Sequence, residues 1–444
     1  MNLFDLTFMS IGGIIGAGIF SMVGSGVAST GRSVTLALLV GMIFMMTQQV
    51  RYVFTASMFQ LSGGTYSQDA LVLTPLLTGV SATMLVINSL NRSAFGISMA
   101  SYLADLFPVL RDYQTLTACL VLLFFFIIGS TGAQIFAKAI NALGILKFIA
   151  LGLFIFFGIT KVVPGGFEGE PYFYGGTVSF LTAIALMSFA CNGATNIMNV
   201  QAIAAHSKRD IPRAWFLASV IVAIVYALLG YVASGVAPYS QVAGQNLGFI
   251  AEMIMPAGFA AFFIIGGAMC SLSTALLGGI AATPFTLVGM AEDGWLPKIF
   301  RKRINVIIFL FIVSIAPVIG GFTLDDIISM VLVPSMIVTA VKNIKGMRLP
   351  EMFPEEWAKS ELKCSPTFFR FLMVISIITS LMTSFFSLRN LTLPLAIGSI
   401  VMSVVVFVWP WFRLKQGCVK IVSTADMDPE VVEEVEEVDV VVAE

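Results

Sequence analysis

The sequence has little charge and few of the residues from which catalytic or metal centres are commonly built. Only 11% of its 444 residues are charged, whereas about 25% is usual in a soluble domain. One histidine, His206, and five scattered cysteines form no metal-binding or nucleophile motif. The net charge of −1 is unlike that of proteins that hold nucleic acid through basic patches. We therefore expect no metal, no cofactor, no nucleic-acid partner and no enzymatic activity.

Apolar residues, in contrast, make up 58% of the chain and occur in long stretches. A bilayer core about 30 Å thick needs about 20 apolar residues per helix. We predict an all-α integral membrane protein with twelve transmembrane helices. The predicted spans are approximately 6–28, 34–58, 76–103, 116–129, 135–159, 178–203, 214–236, 250–290, 306–320, 327–341, 368–386 and 393–411. The eighth is longer than one span, so we expect its end to continue as a cytosolic helix.

The basic residues predict the orientation, because cytosolic loops carry the excess of Lys and Arg. With the N-terminus in the cytosol, the loops outside hold only Arg32, Arg111, Lys161 and Arg389. Both termini are therefore expected in the cytosol, with the protein in the plasma membrane. The loop 342–367 is predicted to be cytosolic, as is the acidic segment 415–444, which we expect to be disordered. Arg51, near the end of span two, is expected to snorkel to the interface.

The spacing of the spans indicates an internal repeat. Spans one to five begin near 6, 34, 76, 116 and 135, and spans six to ten follow at offsets of about 170 to 195 residues. Two tandem units of five spans each must insert with opposite orientations, as in many secondary transporters. We predict a first repeat over 1–161, an inverted repeat over 175–341, and helices 11 and 12 over 368–414.

Equivalent positions of the two repeats contain poor helix interiors, namely the runs IGGIIGAGIF at 11–20 and SFACNGATN at 188–196. Glycine costs about 1 kcal/mol relative to alanine in a helix, and unwound backbone persists in a membrane only where protein or a water-filled cavity satisfies it. Two broken helices would present N–H groups to an anion and carbonyls to an ammonium. An amino acid carries both charges. The alternative is that the glycines only permit close helix packing.

Four ordered motifs carry a resemblance to a known family. They are the glycine run 11–20, SGGTY at 62–66, RDIPRA at 209–214 and MAEDGWLP at 290–297. Together they resemble the amino acid–polyamine–organocation superfamily of permeases. The resemblance implies the five-plus-five inverted repeat of the leucine-transporter-type fold, with two extra C-terminal helices. It also implies secondary active transport of an amino acid by alternating access, as a permease or an exchanger. A polyamine or another organic cation is the alternative substrate.

By this resemblance, the amides of Gly16, Ala17 and Gly18 would receive the substrate carboxylate. Carbonyls near Ile14 and Ile15 and in the second break would receive its ammonium, and Phe189 would act as a gate over the substrate. The candidate residues of the second break are Phe189, Ala190, Cys191, Asn192 and Gly193. An ordinary core or lipid-facing phenylalanine is the other interpretation of Phe189.

Lys147 is a charged residue well inside span five, where it costs about 2.5 kcal/mol or more. In sodium-independent relatives a similarly placed lysine occupies the space of a sodium ion. By resemblance, Lys147 would bond to carbonyls near Gly13 and Ile14 and to hydroxyls among Ser271, Ser273 and Thr274. Sodium-independent transport is then expected, with Lys147 as a candidate carrier of a coupling proton. A structural or snorkelling lysine is the alternative.

The sequence also departs from the family pattern, because Thr195 stands where many relatives carry an acidic residue. Asn88 and Arg92 are unusually polar for span three, and with Thr195 they are candidates for side-chain recognition or gating. Arg92 either meets a substrate carboxylate in forked hydrogen bonds or pairs with groups such as helix-end carbonyls.

Overall fold

The computed structural model describes residues 1–61, 64–130 and 134–419, without the side chains of 134–143, 203, 281, 282 and 285. Within these ranges the chain is helical and contains no strand. Residues 62 and 63 of the SGGTY motif and residues 420–444 of the predicted acidic tail lie outside the described part.

The described residues form α-helices of very different lengths, which are numbered here in chain order. The α-helices are α1 (Leu3–Ile14), α2 (Ala17–Thr30), α3 (Val34–Met58), α4 (Gly64–Val72), α5 (Pro75–Asn88), α6 (Asn91–Leu106), α7 (Gln114–Ser130), α8 (Gln134–Ile159), α9 (Gly176–Ala190), α10 (Ser207–Gly235), α11 (Tyr239–Val242), α12 (Leu247–Ile254), α13 (Ala257–Phe262), α14 (Cys270–Glu292), α15 (Arg303–Ile319), α16 (Leu324–Gly346), α17 (Leu349–Met352), α18 (Pro354–Lys359), α19 (Pro366–Arg389) and α20 (Leu393–Lys415). Helices of the 3₁₀ type form over Gly31–Ser33, Pro108–Tyr113, Ala194–Ile203 and Lys298–Arg301, and a π-helix forms over Phe263–Met269.

Several helices begin where the sequence offers a cap. The side chain of Asn2 accepts a hydrogen bond from the Asp5 amide, and the Asp5 carboxylate accepts one from the Asn2 amide, so α1 starts with a capping box. Thr323 and Asp326 repeat this arrangement before α16. Pro75 opens α5, where its missing N–H costs nothing.

Eight helical stretches within the described residues are long and apolar enough to cross a membrane. One of them, Ala17–Met58, contains 42 residues, about twice the length that a single crossing requires. Three shorter apolar helices occur over Leu3–Ile14, Gly144–Ile159 and Arg303–Ile319. The protein is therefore an all-helical membrane protein, and its division into twelve spans stays a prediction.

The structure divides the eighth predicted stretch in two. Met255 and Pro256 separate α12 from α13, and the helix that begins at Ala257 continues through the π-helix and α14 to Glu292, beyond the candidate span Ala257–Ile280. The end of the stretch thus continues as a helix, and its cytosolic position stays a prediction. Pro256 cannot donate a backbone hydrogen bond, and it restricts Met255 to extended geometry.

The two interrupted helical stretches, predicted as spans one and six, lie against α3 and α10. Helix α1 packs against α10 and the 3₁₀ helix Ala194–Ile203, while α2 packs against α9. Helix α3 packs against both α9 and α10, and α19 packs against α3, α9 and α16. The interruptions of the two broken spans are thus surrounded by protein, which membrane physics requires of non-helical backbone.

A buried charged cluster, the Asp69 cluster, joins α3, α4, α5 and α16. It consists of Arg51, Tyr52, Asp69, Ser81 and Lys342. The Asp69 carboxylate accepts hydrogen bonds from Arg51 Nη2 at 2.5 Å and from Lys342 Nζ at 2.6 Å. It also accepts bonds from the Ser81 hydroxyl at 2.7 Å and the Tyr52 hydroxyl at 3.2 Å.

The Asp69 cluster corrects two expectations. Arg51 does not snorkel to the interface, because its side chain is fully buried and ion-paired with Asp69. Lys342 was assigned to the loop 342–367, but it lies within α16 and pairs with the same carboxylate. Hydropathy could not reveal either pairing, because the three charges come from separate parts of the chain.

Replacing Asp69 by asparagine is expected to destabilise the protein strongly, because Arg51 and Lys342 would stay buried without their counter-charge. Breaking a buried ion pair from one side typically costs about 3–5 kcal/mol. The matched control is Glu351→Gln, which removes an exposed ion pair with Arg370 and should cost less than about 1 kcal/mol. Thermal unfolding of the purified variants in detergent measures the difference. Equal unfolding temperatures would contradict a stabilising cluster.

The pH dependence of this contribution follows from the pKa of Asp69. Burial alone would raise that pKa, but the charges of Lys342 and Arg51 hold it below its usual value. A carboxyl group whose pKa is lower in the folded protein than in the unfolded chain stabilises the folded state at pH values above the unfolded pKa, which is about 3.9. This contribution is lost as the pH falls through the pKa of the folded state. The cluster is therefore fully charged at neutral pH and loses its effect only in strongly acidic solution.

Candidate functional site

The first span is interrupted at Ile15 and Gly16, inside the glycine run. Helix α1 ends at Ile14, and Ile15 adopts φ −73° and ψ 68°, the geometry of an inverse γ-turn. The Gly16 amide closes this turn by donating to the Ile14 carbonyl at 2.7 Å. Helix α2 then begins at Ala17, with Gly16 as an N-cap that has no side chain to offer. The amides at the start of α2 are thus left for another acceptor.

The second interruption lies between α9 and the 3₁₀ helix, at Cys191, Asn192 and Gly193. Gly193 has a φ of 125°, which side chains other than hydrogen rarely permit. The two breaks touch each other here, since a Cβ on Gly13 would lie only 2.7 Å from the Gly193 carbonyl oxygen. Glycine at both positions therefore permits the contact between the first and sixth spans.

A tyrosine from α10 joins the two breaks. The fully buried Tyr226 hydroxyl lies 2.9 Å from the Ile14 carbonyl oxygen and 3.2 Å from the Ala190 carbonyl oxygen. The Ser10 hydroxyl adds a second link by donating to the Ala194 carbonyl at 3.3 Å. The two interrupted spans are therefore held by side chains as well as by glycine contacts.

The side chain of Asn192 is oriented by a chain of hydrogen bonds. Trp215 Nε1 donates to Gln49 Oε1 at 2.8 Å, and Gln49 Nε2 donates to Asn192 Oδ1 at 3.3 Å. Trp215 lies on α10 and Gln49 on α3, so two unbroken helices position the side chain at the centre of the break. Asn192 retains its own amide nitrogen for a ligand.

Lys147 contacts the first break from α8. Its ammonium donates to the Gly12 carbonyl at 2.9 Å and to the Ile15 carbonyl at 2.6 Å. These acceptors are each one residue outside the pair that the sequence suggested, Gly13 and Ile14. The side chain is only 3% exposed, so the two carbonyls compensate much of the cost of burying its charge.

The hydroxyls proposed as further partners of Lys147 lie on α14. Among the described contacts, none joins the ammonium to Ser271, Ser273 or Thr274, and the Thr274 hydroxyl donates to the Ser271 carbonyl at 2.9 Å.

A cavity of about 1300 Å³ extends from both breaks toward the N-terminus. Its lining from the first span runs from Met1 to Gly18 and includes no residue of 19–30. Beyond Gly18, α2 is held against α6, because the Tyr102 hydroxyl donates to the Phe20 carbonyl at 2.8 Å and the Ser98 hydroxyl to Ser21 Oγ at 2.7 Å. The cavity is thus closed on one side of the breaks and open on the other.

Unpaired peptide groups face this cavity at both breaks. The amides of Ala17 and Gly18 begin α2, line the cavity and have no hydrogen-bond partner among the described residues. Asn192 also lines the cavity, and its carbonyl accepts no hydrogen bond from the described chain. A helix N-terminus attracts an anion and free carbonyls attract a cation. The arrangement can therefore hold a small molecule that carries both charges.

The remaining candidate residues do not all line the cavity. Phe189, Thr195 and Asn88 line the cavity with Arg92, whereas Cys191 is buried with its thiol directed to the Leu38 carbonyl. The Phe189 ring lies against Phe95, with centroids 6.3 Å apart. The Gly16 amide, expected to receive a carboxylate, is already used within the γ-turn.

Sequence reasoning missed Tyr226, Gln49 and Trp215, which hold the breaks. It also missed Asn196 and Asn199, which continue the polar lining along the 3₁₀ helix beside Thr195. The spacing of Asn192, Thr195, Asn196 and Asn199 was a readable signal, because residues three or four apart share one helix face. Tyr226 and Trp215 gave no such signal, since aromatic residues are abundant in the chain.

Two of the four family motifs meet on the same side as the open cavity. The Tyr66 hydroxyl of SGGTY donates to Asp293 Oδ2 at 2.9 Å, and Trp295 Nε1 donates to the Tyr66 hydroxyl at 3.2 Å. Helix α20 holds this loop, because Arg413 donates to the Gly294 carbonyl at 2.6 Å and Trp409 to the Trp295 carbonyl at 2.9 Å. The motifs therefore support the cavity entrance.

Replacing Tyr226 by phenylalanine is expected to weaken substrate binding roughly two- to tenfold, because one hydrogen bond worth about 1 kcal/mol is lost between the breaks. Tyr231→Phe is the matched control, since Tyr231 lies on the same helix with an exposed side chain. Equilibrium binding of labelled substrate to the purified variants measures the effect. Unchanged affinity in Tyr226→Phe would show that the Tyr226 hydroxyl does not contribute to substrate binding.

A helical membrane protein with a one-sided cavity ending at paired helix breaks has the architecture of a membrane transporter. A family model described as amino acid permease matches residues 1–421. The chain therefore belongs to the amino acid permease family, which confirms the resemblance carried by the four motifs.

Individual relatives agree with this membership. The chain is similar to the branched-chain amino acid permease BcaP of Bacillus subtilis, at 25% identity over 68% of this chain and 69% of the relative. It is also similar to the methylthioribose transporter of the same organism, at 24% identity over 68% and 69%. The vacuolar cationic amino acid transporter 4 of Arabidopsis thaliana is 24% identical over 67% of this chain and 53% of the relative. The family and these relatives are transporters and not enzymes.

Proposed function

We propose that this protein is a secondary active amino acid permease or exchanger that works by alternating access. The substrate carboxylate binds the amides of Ala17 and Gly18, and the substrate ammonium binds carbonyls of the second break near Asn192. The observation that carries this proposal is the pair of adjoining breaks with unpaired peptide groups facing one cavity. Phe189 borders the same space and acts as a gate over the bound substrate.

The architecture proposed for this mechanism is a five-plus-five inverted repeat of twelve spans. The first repeat covers 1–161, the second covers 175–341, and helices 11 and 12 cover 368–414. The interruption after Ile14 and the interruption after Ala190 support this repeat, since each divides the first span of its unit. Transport then requires one broken unit to rock against the rest around the fixed site.

The cavity indicates the conformation of this transporter. It opens on the side of Met1 and the α1 N-terminus, which the distribution of basic residues assigns to the cytosol. With this orientation, we propose a plasma-membrane protein with both termini cytosolic, and the open cavity supports an inward-open state. In the outward-open state, the Tyr102 and Ser98 contacts to α2 would have to separate.

Sodium-independent transport is proposed because Lys147 supplies a fixed cation at the first break. Its ammonium donates hydrogen bonds to the Gly12 and Ile15 carbonyls. Carbonyls of this kind are the oxygen ligands that sodium uses in interrupted helices. A lysine that exchanges its proton with the cavity would also couple transport to protons. Lys147 lines the cavity, which would give its ammonium a route for this proton exchange.

A polyamine is a poorer candidate substrate. Of the acidic residues that line the cavity, Asp69 is already neutralised by two cations, and Asp5 caps the first turn of α1 at the opening. The described lining near the breaks contains no further carboxylate to receive additional positive charges. A substrate with one ammonium group suits this lining better.

The test is uptake of a labelled amino-acid panel into proteoliposomes that contain the purified protein. Each amino acid is tested with and without internal amino acid, a pH gradient and sodium. We expect uptake of at least one amino acid in the absence of sodium, and the other arms distinguish exchange from proton symport. Failure to transport or bind any amino acid would refute the proposed function.

A further inference from the structure

Arg92 lies in the cavity wall and has no carboxylate partner among the described residues. Its side chain lines the cavity but is only 6% exposed. It donates to the Thr283 hydroxyl at 2.6 Å, to the Gly279 carbonyl at 3.0 Å and to the Ser89 carbonyl at 3.5 Å. These partners are neutral, and Nε has no partner among the described residues. A buried guanidinium with only neutral partners favours an anionic ligand.

The surroundings of Arg92 leave space for such a ligand. A Cβ on Gly278 would meet no atom within 4 Å, and a Cβ on Gly279 would lie 3.4 Å from Arg92 Nε. Both glycines line the cavity on α14, opposite Arg92 and Asn91 on α6. The Asn91 side-chain oxygen is also buried without a partner. The two helices thus form a polar recess, the Arg92 recess, defined by Asn88, Asn91, Arg92, Gly278, Gly279 and Thr283.

The Arg92 recess lies close to the helix breaks. Phe95 follows Arg92 by one helical turn, and residues with this spacing have Cβ atoms about 5–6 Å apart. The Phe95 ring in turn contacts Phe189, which lies just before the second break. The breaks and Arg92 also line the same cavity, so a substrate held at the breaks would direct its side chain into the space that Arg92 borders.

The charges of the cavity select the chemistry of that side chain. Arg92, Lys147 and Lys342 line the cavity, and the Asp69 carboxylate is shared by Lys342 and Arg51. The described wall near the breaks is thus cationic. From these observations, and on the basis of the proposed amino acid transport, we propose that the preferred substrates are acidic amino acids whose distal carboxylate binds Arg92. Glutamate is the acidic amino acid chosen for the test, because glutamine is its neutral isostere.

The test compares glutamate with glutamine, its neutral isostere, in binding and uptake by the purified protein. The wild type is expected to prefer glutamate. Arg92→Gln is expected to lower glutamate affinity roughly 10- to 100-fold, because bonds between charged groups are lost, while glutamine affinity changes little. Arg92→Lys should restore part of the preference, since it keeps the charge without the planar fork.

Arg111→Gln is the matched control, because it removes a guanidinium from an exposed position that does not line the cavity. It should retain the preference for glutamate. If Arg92 serves only to join α6 to α14, Arg92→Gln will instead weaken glutamate and glutamine alike, and the proposal is overturned.

Measurements on the wild-type protein alone distinguish a failure of the Arg92 proposal from a failure of the proposed permease function. Transport of neutral amino acids without binding of glutamate would overturn the role of Arg92 and leave the permease function intact. No transport of any amino acid would overturn both.

Discussion

Replacing Lys147 by methionine is expected to reduce transport roughly 100-fold in a protein that still folds. Methionine keeps much of the side-chain volume but removes both hydrogen bonds to the first break, at Gly12 and Ile15. Hydrogen bonds from a charged donor contribute about 1.5–3 kcal/mol each, and 1.4 kcal/mol is a factor of ten. The carbonyls at the end of α1 would then lack the cation that fixes their position. Initial rates of uptake into proteoliposomes measure the loss.

Lys345→Met is the control for the Lys147 variant, because it removes the same charge from an exposed position on α16. It should transport at the wild-type rate. The same assay without sodium completes the comparison, since a fixed ammonium makes added sodium unnecessary. Full activity of Lys147→Met, or a strict sodium requirement of the wild type, would rule out the proposed role of the lysine.

Replacing Gly16 by leucine is expected to abolish substrate binding while the protein remains folded. A Cβ on Gly16 would meet only the Gly13 and Ile14 carbonyl oxygens, at 3.5 and 3.9 Å, which are ordinary contact distances. Its negative φ also admits a side chain. Since Gly16 lines the cavity, the added side chain would occupy the space in front of the Ala17 and Gly18 amides. Equilibrium binding measures the loss, and thermal unfolding shows that the fold persists.

The control adds the same side chain elsewhere. Gly152 lies on the exposed face of α8, and a Cβ there would meet no atom within 4 Å, so Gly152→Leu should bind substrate normally. Gly18 is unsuitable for this test, because a Cβ there would lie 2.7 Å from Ala190 Cα and would force the broken spans apart. Normal binding in Gly16→Leu would exclude the first break from the site.

The sequence predicted those features that depend on local composition. The expected second span, 34–58, agrees with α3 (Val34–Met58), because its apolar run has clear ends. The glycine run and the segment around Asn192 predicted weak helix, and the structure interrupts the backbone in both. Gly193 shows the physical reason, since its φ of 125° is accessible to glycine and costly for other residues.

The features that sequence reasoning missed depend on contacts between distant residues. Tyr226 is more than 30 residues from either break along the path of the chain, yet its hydroxyl joins Ile14 to Ala190. The Asp69 cluster similarly combines Arg51 with Lys342. Hydropathy registers each of these residues only as polar or charged, because the partner that makes its burial tolerable is fixed by packing of the helices.

The most direct test of the binding mode concerns the two charges of the substrate backbone. For the amino acid with the highest uptake, competition is measured with the unlabelled amino acid, its α-amide and its deaminated acid. Peptide groups at two helix breaks require both charges, so each derivative should compete roughly 10- to 100-fold more weakly than the intact amino acid. Equal competition by the amide or by the deaminated acid would contradict binding at the paired breaks.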